Sequence, residues 1–207
     1  MNGIKASIII SVLLLIGCGS SSGNLNRVAG YIERGDMYFG AGDFDNMLRA
    51  EDQYRRALDI DSTNVYVLLR LGDIYYLYFE HHLALKDSET ALRYWNTSYN
   101  CYNEAVKNQP GNPEPYFGLA RLNGRATKYD EGIKLMQKVL NLSSADIVAQ
   151  AEAHRELGRF YNAQGKYADA LREFKEYLQI LPDARDADNV NRAIKELEKA
   201  IPAPEKK

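Results

Sequence analysis

A five-residue phrase recurs along this chain. Leu71-Gly72-Asp73-Ile74-Tyr75 is echoed by Leu157-Gly158-Arg159-Phe160-Tyr161, by Arg34-Gly35-Asp36-Met37-Tyr38 and, more degenerately, by Leu119-Ala120-Arg121-Leu122-Asn123. Each phrase is followed by a second pattern of small, aromatic or bulky, small and aliphatic residues. Its copies are Ala50, Tyr54, Ala57, Leu58; Ser98, Tyr102, Ala105, Val106; Gly132, Met136, Val139, Leu140; and Ala170, Phe174, Tyr177, Leu178. Offsets of four, three and one place each set on one stripe of a helix. The small residues let two helices approach closely, and the bulky residue fills the space between neighbouring pairs. The chain is thereby constrained to an all-α stack of helix pairs.

These landmarks resemble the tetratricopeptide repeat, a two-helix unit with a period of about 34 residues. The resemblance covers residues 28–184. It implies a right-handed α-α superhelix of about four helix pairs closed by a C-terminal capping helix. Pro110 and Pro182 stand where that family ends a unit, and Ser62 and Ser144 replace proline at the other two ends. The units fall at about 28–64, 65–112, 113–146 and 151–184, within a domain spanning 25–201. Gly35, Gly72, Ala120 and Gly158 are 37, 48 and 38 residues apart, so the second interval carries the large excess. There Tyr75, Tyr78, His82 and Leu85 prolong the first helix, while Ala91, Trp95, Ser98 and Tyr102 start the second early. Seven extra residues in each helix add about 10 Å. The pair stays matched in length and projects beyond the array, with Asp87 or Ser88 capping its second helix.

Residues 187–201 carry Val190, Ile194, Leu197 and Ile201 on one face, with Arg192, Lys195, Glu198 and Lys199 elsewhere. An element of that kind covers the apolar end of an array. Residues 202–207 form a solvated tail.

The N-terminus reads as an export signal. Lys5 precedes an apolar run from Ile8 to Ile16 that is interrupted only by Ser11 and is too short to span a bilayer. Leu15-Ile16-Gly17-Cys18 resembles the lipobox of bacterial lipoproteins. That resemblance implies a signal peptide over 1–17, removal of it, and acylation of Cys18 as a palmitate-bearing membrane anchor. Gly19 stands where aspartate marks inner-membrane retention, so the resemblance points to the outer membrane, facing the periplasm. Residues 18–24 are expected to form a short flexible tether rich in serine and glycine.

Function classes narrow accordingly. Twenty-six basic against 28 acidic residues give a net charge of −2, which leaves no global field for nucleic acid. The two cysteines, Cys18 and Cys101, make no disulfide framework, so stability comes from packing, with Cys101 half-buried. His81 and His82 are adjacent and diverge by about 100° on a helix, so they cannot share a metal as an i, i+4 pair does. His154 falls at a core-packing position. Asn96-Thr97-Ser98 matches a glycosylation acceptor but sits on a helical core stripe. No catalytic triad, phosphate loop or paired-cysteine motif is present, and neither enzyme chemistry nor a cofactor is expected.

In the tetratricopeptide family the first helices line a concave surface. Carried over, its groove positions are Ile32, Asp36 and Phe39; Tyr66, Leu69, Asp73 and Tyr76; Phe117, Arg121 and Arg125; and Arg155, Arg159 and Asn162. Arg121 with Arg125 and Arg155 with Arg159 are i, i+4 pairs that share a helix face irrespective of family. Four guanidinium groups there suit a partner's carboxylates or phosphates; equally, they suit pairing with Glu152, Glu156 and Asp130 on a solvated face. The lysine and asparagine clamp of chaperone-binding repeats is missing, with Ile32 and Asp36 at the first-unit positions. The expected function is a non-enzymatic, membrane-anchored adaptor binding a protein or peptide segment, of the kind that assists outer-membrane or pilus-secretin assembly. The alternative is a small-ligand or transport-associated protein with an apolar cavity near Tyr75, Tyr78 and Trp95.

Overall fold

The structure, a computed structural model, describes residues 7–143 and 146–201, with side chains from residue 22 onward. The tail 202–207, the first six residues of the expected signal, and Ser144 lie outside the described residues, as does the side chain of Cys18. The described residues form nine α-helices: α1 Ser7–Ala41, α2 Phe44–Leu58, α3 Val65–Ala84, α4 Ser88–Asn108, α5 Glu114–Arg125, α6 Tyr129–Leu142, α7 Ile147–Ala163, α8 Tyr167–Ile180 and α9 Ala187–Ala200. Helices pair as α1/α2, α3/α4, α5/α6 and α7/α8, and successive pairs stack into a right-handed superhelix that α9 closes.

Local chemistry sets the breaks between helices. Asp43, Asn64, Asp87 and Asp146 each accept a backbone N–H from the first turn of the helix they precede, filling an otherwise orphaned donor. α5 starts differently, with Pro113 before it and Pro115 in its first turn. Every turn inside a pair uses one left-handed residue: Gly42 (φ 78°), Lys86 (φ 60°), Thr127 (φ 57°) and Gly165 (φ 72°). Two of the four turns thus place a side chain where glycine is the comfortable residue.

Four apolar clusters run along the stack. Tyr54, Ala50, Tyr75 and Tyr78 join the first pair to the second, and Phe79, Tyr102, Leu119 and Leu122 join the second to the third. Met136, Val139, Ala153 and Phe160 join the third to the fourth, and Phe174 and Tyr177 meet Val190, Ile194 and Leu197 of α9. The landmark glycines are the contact points. A Cβ on Gly35 would fall 2.5 Å from the Tyr54 ring, one on Gly72 2.6 Å from Tyr102, and one on Gly158 2.6 Å from Phe174. In these three pairs the first helix lies directly on a ring of its own second helix, which is why each of the three glycines has an aromatic partner there.

The second pair is the long one, with 20 residues in α3 and 21 in α4 against 12 and 14 in α5 and α6. Asp87 is its cap.

Two expectations need correction. Residues 18–24 are not a loose tether but the middle of α1. They contain no proline and lie between two helix-forming stretches, so helix propagates through weak formers rather than breaking there. The first helix of the fourth pair begins at Ile147 rather than 151, because Asp146 caps it by accepting from Ala149 N at 3.0 Å. Among the described residues, no helix is long and apolar enough to cross a membrane.

Candidate partner-binding groove

The concave side of the stack is built by α3, α5 and α7, whose groove-facing residues recur every three or four positions. Between them lies a groove of about 750 Å³. It is lined by Tyr66, Leu69, Asp73 and Tyr76 of α3, Phe117, Arg121 and Arg125 of α5, and Arg155 and Arg159 of α7. Asp36 and Phe39 of α1 stand at its edge. Asp36 accepts from both Tyr54 (2.6 Å) and Tyr66 (2.7 Å), and Phe39 lies 5.6 Å beneath the Arg70 guanidinium. Ile32 packs into the first core cluster instead. Asn162 is exposed on α7 but does not line the groove.

Arg70, Tyr102, Glu114, Tyr129, Glu152, Glu156 and Phe160 line the groove as well and were not among the expected groove positions. Arg70 was within reach of sequence reasoning, since it is i+4 from Tyr66 and donates to that hydroxyl at 3.1 Å. Tyr102 was not, because it comes from a second helix and enters the groove only by its hydroxyl end.

The arginines do not stand free. Arg121 donates to Asp73 at 2.8 Å and to the Tyr102 hydroxyl at 2.9 Å, and its guanidinium lies 4.1 Å over the Tyr76 ring. Arg125 grips Glu80 with two bonds, 2.6 and 2.9 Å. Arg155 is shared among Glu152, Glu156 and Asp186, and Arg159 reaches Glu156 at 3.3 Å. Asp130, expected as an arginine partner, accepts from Gln164 at 2.8 Å. The groove is therefore stitched across its middle, as arginines of the third pair reach back to carboxylates of the second.

Electrostatics follow from that stitching. Burial opposes the charge on Arg121, but Tyr102 and Asp73 beside it outweigh the burial and hold the guanidinium more firmly protonated than usual. Burial, reinforced by Glu80, pushes the Tyr76 phenol up to about 12. Tyr102 is raised further by burial and by the Asp73 charge, so it remains a donor throughout the physiological range.

Outside the groove, His82 Nδ1 sits 3.2 Å from Asp87 while His81 packs on Phe44, so the adjacent histidines face different partners. His154 pairs with the buried Glu173 at 2.8 Å. Burial pushes the Cys101 thiol up to about 12 despite the nearby Arg55. The apolar cavity considered near Tyr75, Tyr78 and Trp95 is filled by rings: Tyr94 packs 5.1 Å from Tyr78 and 6.2 Å from Tyr75, and Trp95 stacks on Tyr99 at 5.1 Å.

Solved structures share this architecture. PilF of Pseudomonas aeruginosa superposes with a TM-score of 0.68 over 86% of this chain and 70% of that one, at 16% identity. A MamA protein gives 0.58 over 84% and 87%, at 22% identity. MamA from residue 41 to its end, of Desulfovibrio magneticus RS-1, gives 0.58 over 84% and 94%, at 11% identity. The fold is that of the tetratricopeptide repeat. At these identities the likeness is one of fold alone. No protein-family model matches the chain, and no curated protein matches it. The second pair, with helices of 20 and 21 residues, is longer than the third and fourth pairs.

Proposed function

We propose that this chain is a non-enzymatic adaptor of the bacterial cell envelope that holds a segment of a partner protein in its concave groove. A lipid on Cys18 keeps it at the outer membrane, facing the periplasm. The observation that carries the reading is the groove itself: about 750 Å³, open along one side, with aromatic faces and oriented guanidinium groups from α3, α5 and α7. Such a surface offers flat apolar contacts for side chains and fixed donors for a backbone or carboxylate, the combination that peptide recognition requires. The lipobox-like Leu15-Ile16-Gly17-Cys18 supports the anchor.

Two experiments test the halves separately. Cys18→Ser is expected to move the protein from the membrane fraction to the soluble one and to abolish labelling by a palmitate analogue; unchanged fractionation removes the anchor. For the groove, Arg159→Glu changes a mostly exposed side chain, and Tyr66→Ala removes a lining ring together with its hydrogen bond to Asp36, so thermal melting of each variant is followed alongside binding. Capture from detergent-solubilised envelope with wild type should retain a partner that these variants lose. If wild type and variants retain the same proteins, the groove is not the binding surface.

A further inference from the structure

The half of the groove that holds most of its arginines carries a net negative charge. Arg121 and Arg125 are each met by one carboxylate of α3, Asp73 and Glu80. Arg155 and Arg159 share three carboxylates, those of Glu152, Glu156 and Asp186. Glu114 of α5 lines the same groove, is exposed, and enters no ion pair among the described residues. Two carboxylates are thus in excess. Of the two uses open to these guanidinium groups, internal pairing is the one realised, and their remaining N–H donors suit backbone carbonyls rather than a partner's anions.

The surroundings do not restore the balance. At the rim beside α9, Arg185 is flanked in sequence by Asp183 and Asp186, and Asp146 caps α7. At the opposite rim Lys128 lies over the Trp95 ring, with Asp130 and Glu131 following in the first turn of α6. Lys138 lies over the Tyr116 ring and makes no ion pair with Glu114. On the α1 side Arg70 donates to the Tyr66 hydroxyl, which donates to Asp36, and Glu33 is exposed one turn before Asp36. Within the arginine-bearing half, burial lifts the Glu152 carboxyl above its ordinary range against the pull of Arg155, and the charges of Glu156 and Asp186 add to the lift. An added cation beside Glu152 relieves that repulsion.

Glu114 and Glu152 stand at equivalent places. Each lies seven residues before a groove arginine, Arg121 and Arg159, which is two turns along the same helix face. Phe117, one turn on from Glu114, is a half-buried ring that lines the groove beside them. We propose that this corner is the subsite for a lysine or arginine of the partner segment, with the cation between Glu114 and Glu152 and its aliphatic stem over Phe117. The proposal rests on reading the chain as a peptide-holding adaptor and adds the charge of the segment, which is basic where a groove rich in arginine invites the opposite assignment. A metal ion does not suit the corner, since among the described residues no group of three or more His, Cys, Asp or Glu side chains is placed to hold one.

The probe is a short fluorescein-labelled peptide with lysines spaced among serines and leucines, titrated against the detergent-solubilised full chain by fluorescence anisotropy. Its counterpart carries glutamates in place of the lysines and should bind wild type at least about tenfold more weakly. Glu114→Gln should weaken the lysine peptide about threefold, and the Glu114→Gln, Glu152→Gln double variant about tenfold. Glu114 is exposed and unpaired, so thermal melting of Glu114→Gln should match wild type, whereas the double also gives up a contact to Arg155. Glu114→Lys should reverse the preference between the two peptides, an outcome that loss of folding cannot produce. The proposal is overturned if wild type prefers the glutamate peptide or if Glu114→Lys leaves the preference as it was. It is also overturned if spermidine displaces the lysine peptide as effectively as unlabelled peptide does. In cells, p-benzoylphenylalanine at position 163, an exposed groove position, should cross-link a partner segment that contains lysine or arginine. A cross-linked segment that is acidic removes the basic subsite and leaves the adaptor; no cross-link removes the adaptor reading itself.

Discussion

Arg121 of α5 donates to the Asp73 carboxylate of α3 at 2.8 Å, across the boundary between the second and third helix pairs. The same carboxylate accepts from the Tyr102 hydroxyl at 2.8 Å, so one acid serves a phenol of its own pair and a guanidinium of the next. A rule links these residues to the repeat. Where the residue after the landmark is aspartate (Asp36, Asp73), the second helix supplies a tyrosine whose hydroxyl reaches it (Tyr54, Tyr102). Where it is arginine (Arg121, Arg159), the second helix supplies Met136 or Phe174, neither of which has a hydroxyl to satisfy. A buried phenol needs an acceptor, and the repeat exchanges both members together.

Removing that acceptor should cost stability. Asp73→Ala leaves the buried Tyr102 hydroxyl and the Arg121 guanidinium without their carboxylate, and is expected to lower unfolding free energy by about 1–2 kcal/mol. Arg121→Met keeps the phenol satisfied and should cost less. Urea titrations of the two singles and the double give the coupling directly; a coupling near zero means the network does not act as a unit.

Gly72→Ala probes the close approach. The new methyl would lie 2.6 Å from the Tyr102 ring, which is already wedged against Gly118 on its other side and cannot retreat. Overpacking of this kind costs about 1–3 kcal/mol. The control is Gly40→Ala in α1, where nothing lies within 4 Å of the added carbon; helix propensity there should yield a gain of roughly 0.5 kcal/mol. Equal effects at the two sites are incompatible with the packing described.

How much of this was written in the sequence differs by level. The helix pairs and the unequal second pair follow from glycine, tyrosine and alanine spacing, because close helix packing admits few residues at those points, and the cap follows from the apolar face of Val190, Ile194 and Leu197. Nine of the thirteen groove positions carried over from the family do line one cavity. What spacing cannot show is pairing across units: Arg125 with Glu80 and Arg121 with Asp73 are 45 and 48 residues apart, a distance set by the inserted turns. The course of α1 through residues 18–24 is a matter of propagation from both flanks, which local composition understates.

Thr127 tests the turns. It is a β-branched residue held at φ 57°, in the place that glycine takes at Gly42 and Gly165. Left-handed backbone is disfavoured for such a side chain by about 1–2 kcal/mol, and glycine gives back part of that in unfolded-state entropy. Thr127→Gly is therefore expected to stabilise the chain by about 0.5–1 kcal/mol, read as a higher urea midpoint at unchanged slope. A lower midpoint would mean that the threonine side chain contributes something the turn geometry does not require.

Asp186 makes the seating of the cap dependent on acid. Its carboxylate accepts from Tyr177 and from Arg155, while its carbonyl accepts from Asn189 and Val190 at the start of α9. The Tyr177 hydroxyl, opposed by partial burial and helped by Arg155, holds the carboxyl below the usual aspartate range. With the folded value depressed, the contribution to stability is full above the ordinary aspartate pKa of about 3.9 and is lost as pH falls through the lower folded value. Hydrogen exchange of α9 is expected to stay slow down to about pH 4 and to accelerate below it, ahead of α3 and α4. In Asp186→Asn that acid step should vanish, with α9 already less protected at neutral pH. If α9 in wild type and variant loses protection along the same acid profile, the carboxylate is not what seats the cap.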